Sequence, residues 1–246
     1  MTARPARRIL RWTAGVLGGL LVVAVAGLVI WSQTGVYAAE EGAAAAVRAN
    51  AEIAVSEDSG SLTLAPVDAG SGAGLVFTPG AKVEAWAYAA KLQELVAEEG
   101  MTVVITKPWL NLAFFDPRPL DAFTAGIDGV DSWLVGGHSL GGVRACQLAE
   151  NADGLVLFAS YCAADLSTRD LPVLSIAGSA DGLSTPEKIA EARGQLPADA
   201  VLVEIPGAAH SSFGDYGPQK GDGVPDINDA AMTTEITELI SDFVSP

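Results

Sequence analysis

The amino-acid sequence predicts an α/β fold: a mostly parallel central sheet with helices on both faces, no sizeable cap domain, and one transmembrane helix in front. Three observations carry this. Apolar runs of strand length alternate with helical patterns along residues 51–246. The later runs are continuously apolar, the pattern of strands buried on both faces. Ahead of them, Thr13–Trp31 is a stretch of 19 residues without a charge.

As a helix that stretch measures about 28 Å, close to the ~30 Å core of a bilayer. Trp12 and Trp31 bracket it, as interfacial aromatics do. Arg4, Arg7, Arg8 and Arg11 precede it with no acidic residue, so the positive-inside rule keeps the N-terminus in the cytoplasm and the body outside. The expected organisation is a basic tail 1–12, a signal anchor 13–31, a membrane-proximal Ala-rich segment 32–50 and one folded domain 51–246. A cleaved signal peptide is the competing reading: Val36-Tyr37-Ala38 offers a small-x-small site, and a cut near Ala38 would secrete the body. Both readings export it.

With 246 residues, half of them apolar and 18% charged, the chain has room for one full core, and disorder is excluded. The net charge is -16; setting aside the four N-terminal arginines leaves 10 basic and 30 acidic residues, or -20, on 32–246. That excludes nucleic acid as a partner and repels anionic substrates at long range. Two cysteines exclude a disulfide-stapled mini-domain, and two histidines argue against a His-rich metal site. No metal or organic cofactor is implied. Export permits a Cys146–Cys162 disulfide, but spacing alone leaves bonded and free thiols equally open.

The strand-length runs are Glu52–Val55, Ser61–Pro66, Gly74–Thr78, Thr102–Thr106, Ser132–Val135, Gly154–Ala159, Leu171–Ala177 and Ala200–Ile205. Helical patterns cover Ala38–Ala49, Val83–Glu99, Asp121–Ile127, Leu140–Glu150, Pro186–Gln195 and Asp229–Val244. Pro186 stands where an N1 proline belongs, and Gly100 where a helix-ending glycine does. Two early strands with no helix between them predict an antiparallel edge.

The chemistry concentrates at Gly137-His138-Ser139-Leu140-Gly141, a G-x-S-x-G match between an apolar run and a helical one. A serine on so tight a strand-to-helix turn exposes its hydroxyl, and only glycine fits two residues to either side. The serine needs a base. His138, inside the turn, is expected to point away from it, which leaves His210, just beyond the Ala200–Ile205 run. A carboxylate to orient His210 is expected between the two, past a strand end. Asp181 fits, whereas Asp153, Asp165 and Asp170 precede their strands. For the oxyanion, the N–H of Leu140 is one donor and that of Ala81, after Pro79-Gly80, the other, with Gly80 the alternative.

These strings resemble the α/β-hydrolase fold in its small capless branch related to dienelactone hydrolases. The resemblance spans 51–244 and rests on Pro79-Gly80-Ala81, Gly137–Gly142, Gly178–Gly182 and His210. The longer strings Gly136–Gly142 and Ala209–Gln219 are similar to membrane-anchored serine-type members. It implies a Ser139–His210–Asp181 triad, with serine where dienelactone hydrolases carry cysteine. The expected activity is hydrolysis of a small-molecule carboxylic ester or thioester through an acyl-enzyme. Acyl transfer by the same triad and a non-catalytic binding or scaffold role are the alternatives. Only Ser160–Asp170 separates two strands where many relatives insert a lid, so the site is expected to be open. Trp109, Leu110 and Phe114 are expected to line an acyl pocket or to face the bilayer, and Tyr216 to shape the rim.

Overall fold

The computed structural model describes residues 3–244. Arg4, Arg7 and Arg8 of the basic tail lie outside the residues whose side chains are described. Eight strands form one sheet: β1 Ile53–Glu57, β2 Ser61–Pro66, β3 Ala73–Thr78, β4 Thr102–Thr106, β5 Ser132–His138, β6 Gly154–Phe158, β7 Val173–Gly178 and β8 Val201–Ile205. Their order is β1-β2-β4-β3-β5-β6-β7-β8. β1 and β2 pair antiparallel, as does β2 with β4, and every later pairing is parallel. All eight expected runs are strands, with the antiparallel edge at the N-terminal side.

The helices are α1 Ala3–Gln33, α2 Glu41–Ala49, α3 Trp86–Ala97, α4 Asp121–Thr124, α5 Leu140–Leu148, α6 Pro186–Glu191 and α7 Asp229–Val244. Several are shorter than their sequence patterns, each for a local reason. Val83 bridges to Tyr37, so α3 starts later. Gly126 takes φ 84° just beyond α4. α6 tightens into a 3-10 turn at Ala192–Gln195. β7 begins only after Pro172, which has no N–H for the ladder.

Two apolar layers cover the sheet. Leu92 and Leu95 of α3 and Ile236 and Ile240 of α7 pack on one face, with Leu75, Phe77 and Phe158 beneath them. Ala145 and Leu148 of α5 and Phe123 of α4 pack on the other, over Val76, Val135 and Leu157. Burial on both faces explains why the central strands read as unbroken apolar runs. No helix stands between β6 and β7. Within α1, Arg11–Gln33 is a candidate membrane span of 23 residues, exposed along residues 11–31, with Ser32 in its last turn buried against the body.

Candidate active site

β5 stays extended and buried to His138, and α5 starts at Leu140. A strand reaches a helix over one residue only by leaving the ordinary backbone regions, and Ser139 accordingly has φ 53° and ψ -123°. A Cβ on Gly137 would strike the backbone of Gly141, and one on Gly141 the carbonyl oxygen of Thr78. The turn therefore closes against itself and against the end of β3 only with glycine at both places. The strained residue is held from β6: Ser139 N–H donates to Phe158 O (3.0 Å), and Ser160 Oγ donates to Ser139 O (2.7 Å). A Cys146–Cys162 disulfide ties α5 to the same segment, with 5.6 Å between the Cα atoms. It resolves the question that spacing left open. Ser139 is half-buried, and among the described residues its Oγ makes no hydrogen bond. Catalytic hydrogen bonds commonly tighten only when substrate is bound.

Asp181 follows β7, and His210 opens a 3-10 turn, His210–Phe213, beyond β8. Neighbouring strand ends thus bring together residues 29 apart in sequence. His210 Nδ1 lies 2.8 Å from Asp181 Oδ2, with both side chains buried. A carboxylate only accepts, so Nδ1 carries the proton and Nε2 is left with its lone pair free. The other oxygen of Asp181 accepts the N–H groups of Leu183 (2.7 Å) and Ser184 (2.8 Å), which fixes the carboxylate plane.

Asp222 escaped the sequence reading. Its Oδ1 accepts the N–H groups of His210 (3.0 Å), Gly182 (3.2 Å) and Gly223 (2.7 Å). Its Oδ2 accepts Ser211 N–H (2.8 Å) and Ser211 Oγ (2.9 Å). One side chain thus binds the loop of His210 to the loop of Asp181. Burial works to raise its pKa, but the N–H groups of Ser211, His210 and Gly182 outweigh it and hold the carboxyl below its ordinary value. Nothing in Lys220-Gly221-Asp222-Gly223 signals this, because Ser211, His210 and Gly182 lie 11 to 40 residues away.

His138 does not simply turn from the site. Its buried ring packs against His210, with centroids 4.4 Å apart and planes at 46°. Ser139 is therefore the immediate chain neighbour of a residue in ring contact with His210. Tyr88 Oη accepts Gly80 N–H (3.0 Å) and shares a second hydrogen bond with His138 Nδ1 (2.9 Å). Burial, and then the nearby His210, push the His138 pKa well below its ordinary value, and the ring stays neutral.

The same hydroxyl distinguishes the two candidate oxyanion amides. The Gly80 N–H is taken by Tyr88, while the Ala81 N–H meets no acceptor among the described residues. Leu140 opens α5, where amides lack partners within the helix.

A model of the alpha/beta hydrolase family matches residues 74–234, more than half of the chain. The chain belongs to the alpha/beta hydrolase family. Its fold is also similar to that of the esterase Est1E from Butyrivibrio proteoclasticus, with a TM-score of 0.55 over 80% of this chain and 100% of that one. At 14% identity this likeness shows the fold alone. A comparison with curated proteins gives no match.

The chain is thus a hydrolase, and its aromatic residues stand differently from the expected pocket. Tyr216 is buried behind the site rather than at a rim: its ring meets Tyr37 (5.5 Å), Tyr88 (6.4 Å) and His138 (6.4 Å), and its hydroxyl donates to Gln219. Trp109 and Leu110 line a cavity of about 470 Å³ with Gln33, Val83 and Trp86, and Ser139 is not part of its wall. Phe114 stands on the surface, in a 3-10 turn, Ala113–Phe115, that packs beside α5.

Proposed function

We propose that this alpha/beta hydrolase is a serine hydrolase of the small capless branch, cleaving carboxylic esters or thioesters outside the cytoplasmic membrane. The observation that carries the reading is the pairing of a strained, half-buried Ser139 with a buried His210–Asp181 couple one ring contact away.

Ser139 Oγ attacks the substrate carbonyl while its proton passes to His210 Nε2. The N–H groups of Leu140 and Ala81 hold the negative charge that develops on the carbonyl oxygen. Collapse of this intermediate breaks the bond to the leaving alcohol or thiol, which takes the proton from His210. Water then attacks the acyl-enzyme, giving one proton to His210, which returns it to Ser139 Oγ as the acid departs. Asp181 keeps the proton on Nδ1 and stabilises the transient imidazolium. Neutral His138 suits this cycle, since a second cation against the ring would oppose protonation of His210.

Two features support a retained anchor with the body outside. Tyr37 is built into the fold: its N–H donates to Lys82 O (2.7 Å), its carbonyl accepts Glu84 N–H (3.0 Å), and its ring packs on Tyr216. A cut near Ala38 would strip these contacts. The disulfide suits an oxidising compartment.

Hydrolysis of a short-chain p-nitrophenyl ester by the full chain in detergent tests the reading. Ser139→Ala is expected to lower kcat by at least ~10³-fold at unchanged fold. Ester hydrolysis that survives this substitution would refute it.

A further inference from the structure

We infer that the aromatic turn 109–115 sits in the interface of the bilayer that α1 spans, and that the enzyme draws acyl esters partitioned into that bilayer. The inference rests on the proposed anchor and on Ser139 as nucleophile.

α1 is not on a loose tether. Asn111 Nδ2 donates to Ser32 O in its last turn (3.1 Å), and the Lys82 ammonium lies 4.5 Å from the centre of the Trp31 ring. Lys82 N–H in turn donates to Asn111 O (2.7 Å). The end of the span, the loop of Ala81 and the aromatic turn are thus pinned at one point. Lys82, Leu110 and Asn111 there have φ between 55° and 58°, left-handed conformations uncommon for residues other than glycine. Such strain persists only where the surroundings fix it. Together these contacts set the depth of the body relative to the membrane.

The turn exposes apolar surface at this level. Trp109 is 57% exposed, Phe114 78% and Phe115 43%. Among the described residues beyond α1, one other large aromatic, Tyr161, is exposed. Phe114 is three residues from Asn111, so its Cα lies within about 10 Å of the residue bonded to the end of α1. A bilayer's polar zone is roughly 5–8 Å thick on each side, so Phe114 falls within reach of the acyl boundary. Aromatic rings settle at that boundary. On its other side the turn packs beside α5, whose first residue is Leu140. Through the Lys82–Asn111 bond the turn also adjoins Ala81, the proposed oxyanion donor, so a hydrophobic ester leaving the bilayer here is delivered beside the site without crossing the acidic outer surface.

Depth can be measured directly. The native cysteines are bonded to each other, so Phe114→Cys supplies a free thiol for a nitroxide. In phosphatidylcholine–phosphatidylglycerol vesicles holding the full chain, this label is expected to be shielded from aqueous nickel and accessible to oxygen. A label at Val224→Cys, where the side chain is 86% exposed, should stay aqueous. Equal nickel accessibility at both positions overturns the docking. So does dipolar broadening at position 114 that disappears on dilution with unlabelled protein, because a second copy would then cover the turn. For the substrate class, Phe114→Asp with Phe115→Asp should lower the ratio of bilayer-embedded to water-soluble ester hydrolysis about tenfold, the equivalent of ~1.4 kcal/mol. An unchanged ratio overturns it. If the unsubstituted protein hydrolyses neither ester, the hydrolase reading fails instead, and the depth result stands by itself.

Discussion

Removing the Asp222 carboxylate tests how the histidine and the aspartate are held in register. Asp222→Ala leaves the N–H groups of His210, Ser211, Gly182 and Gly223 and the Ser211 hydroxyl without their acceptor. Hydrogen bonds to a charged group contribute about 1.5–3 kcal/mol each, but this carboxylate is half-buried and water replaces part of what is lost. A net loss of about 2–3 kcal/mol follows, or roughly 5–10 °C in Tm for a domain of this size. The larger effect is positional. A displacement of about 1 Å at a catalytic group costs on the order of 10²-fold, so kcat should fall between ~10- and ~100-fold. KM should hardly move, because Asp222 reaches the substrate only through His210. Asp222→Asn, which keeps one acceptor oxygen, should fall between parent and alanine variant. Steady-state kinetics on a soluble ester well below each variant's Tm separate this from unfolding. An Asp222→Ala enzyme with the parent kcat would refute the positioning role, as would a loss that merely tracks the unfolded fraction.

Other consequences can be measured independently. Because the fold holds the Asp222 carboxyl below its ordinary value, its stabilisation is complete above the ordinary carboxylate range and is lost as pH falls through the folded pKa. Melting curves should therefore fall more steeply below about pH 4 for the parent than for Asp222→Asn. Tyr88→Phe leaves Gly80 N–H and His138 Nδ1 unpaired in the core and should cost about 2–4 kcal/mol, read from urea midpoints. Replacing Cys146 and Cys162 together by serine removes a cross-link over 16 residues and should cost about 3 kcal/mol, read from guanidinium midpoints under oxidising conditions.

Much of the fold is legible in the sequence for one physical reason. Strands covered on both faces must be apolar throughout, so β3 to β7 announce themselves, and the helices between them follow. Ser139 is legible because the elbow admits only glycine at 137 and 141, and that sterics leaves a written trace. His210 and Asp181 follow from scarcity and chain order, and the structure joins them at 2.8 Å. What stays hidden depends on contacts between distant loops. The exchange of β3 and β4 in the sheet order leaves no local mark. The same holds for Asp222, whose partners come from two loops, and for Tyr216, whose polar surroundings in sequence suggest a surface residue although it packs on three aromatic rings. Spacing could not join Cys146 to Cys162 either, because their approach depends on how α5 lies over the end of β6.

In the proposed mechanism Ser139 is a nucleophile activated by His210. Treating the full chain in detergent with a fluorophosphonate and mapping the adduct by mass spectrometry tests it most directly. A single phosphonyl group is expected on Ser139, absent from Ser139→Ala and formed far more slowly on His210→Ala. An adduct on another residue, or equal labelling of the parent and Ser139→Ala, would contradict it.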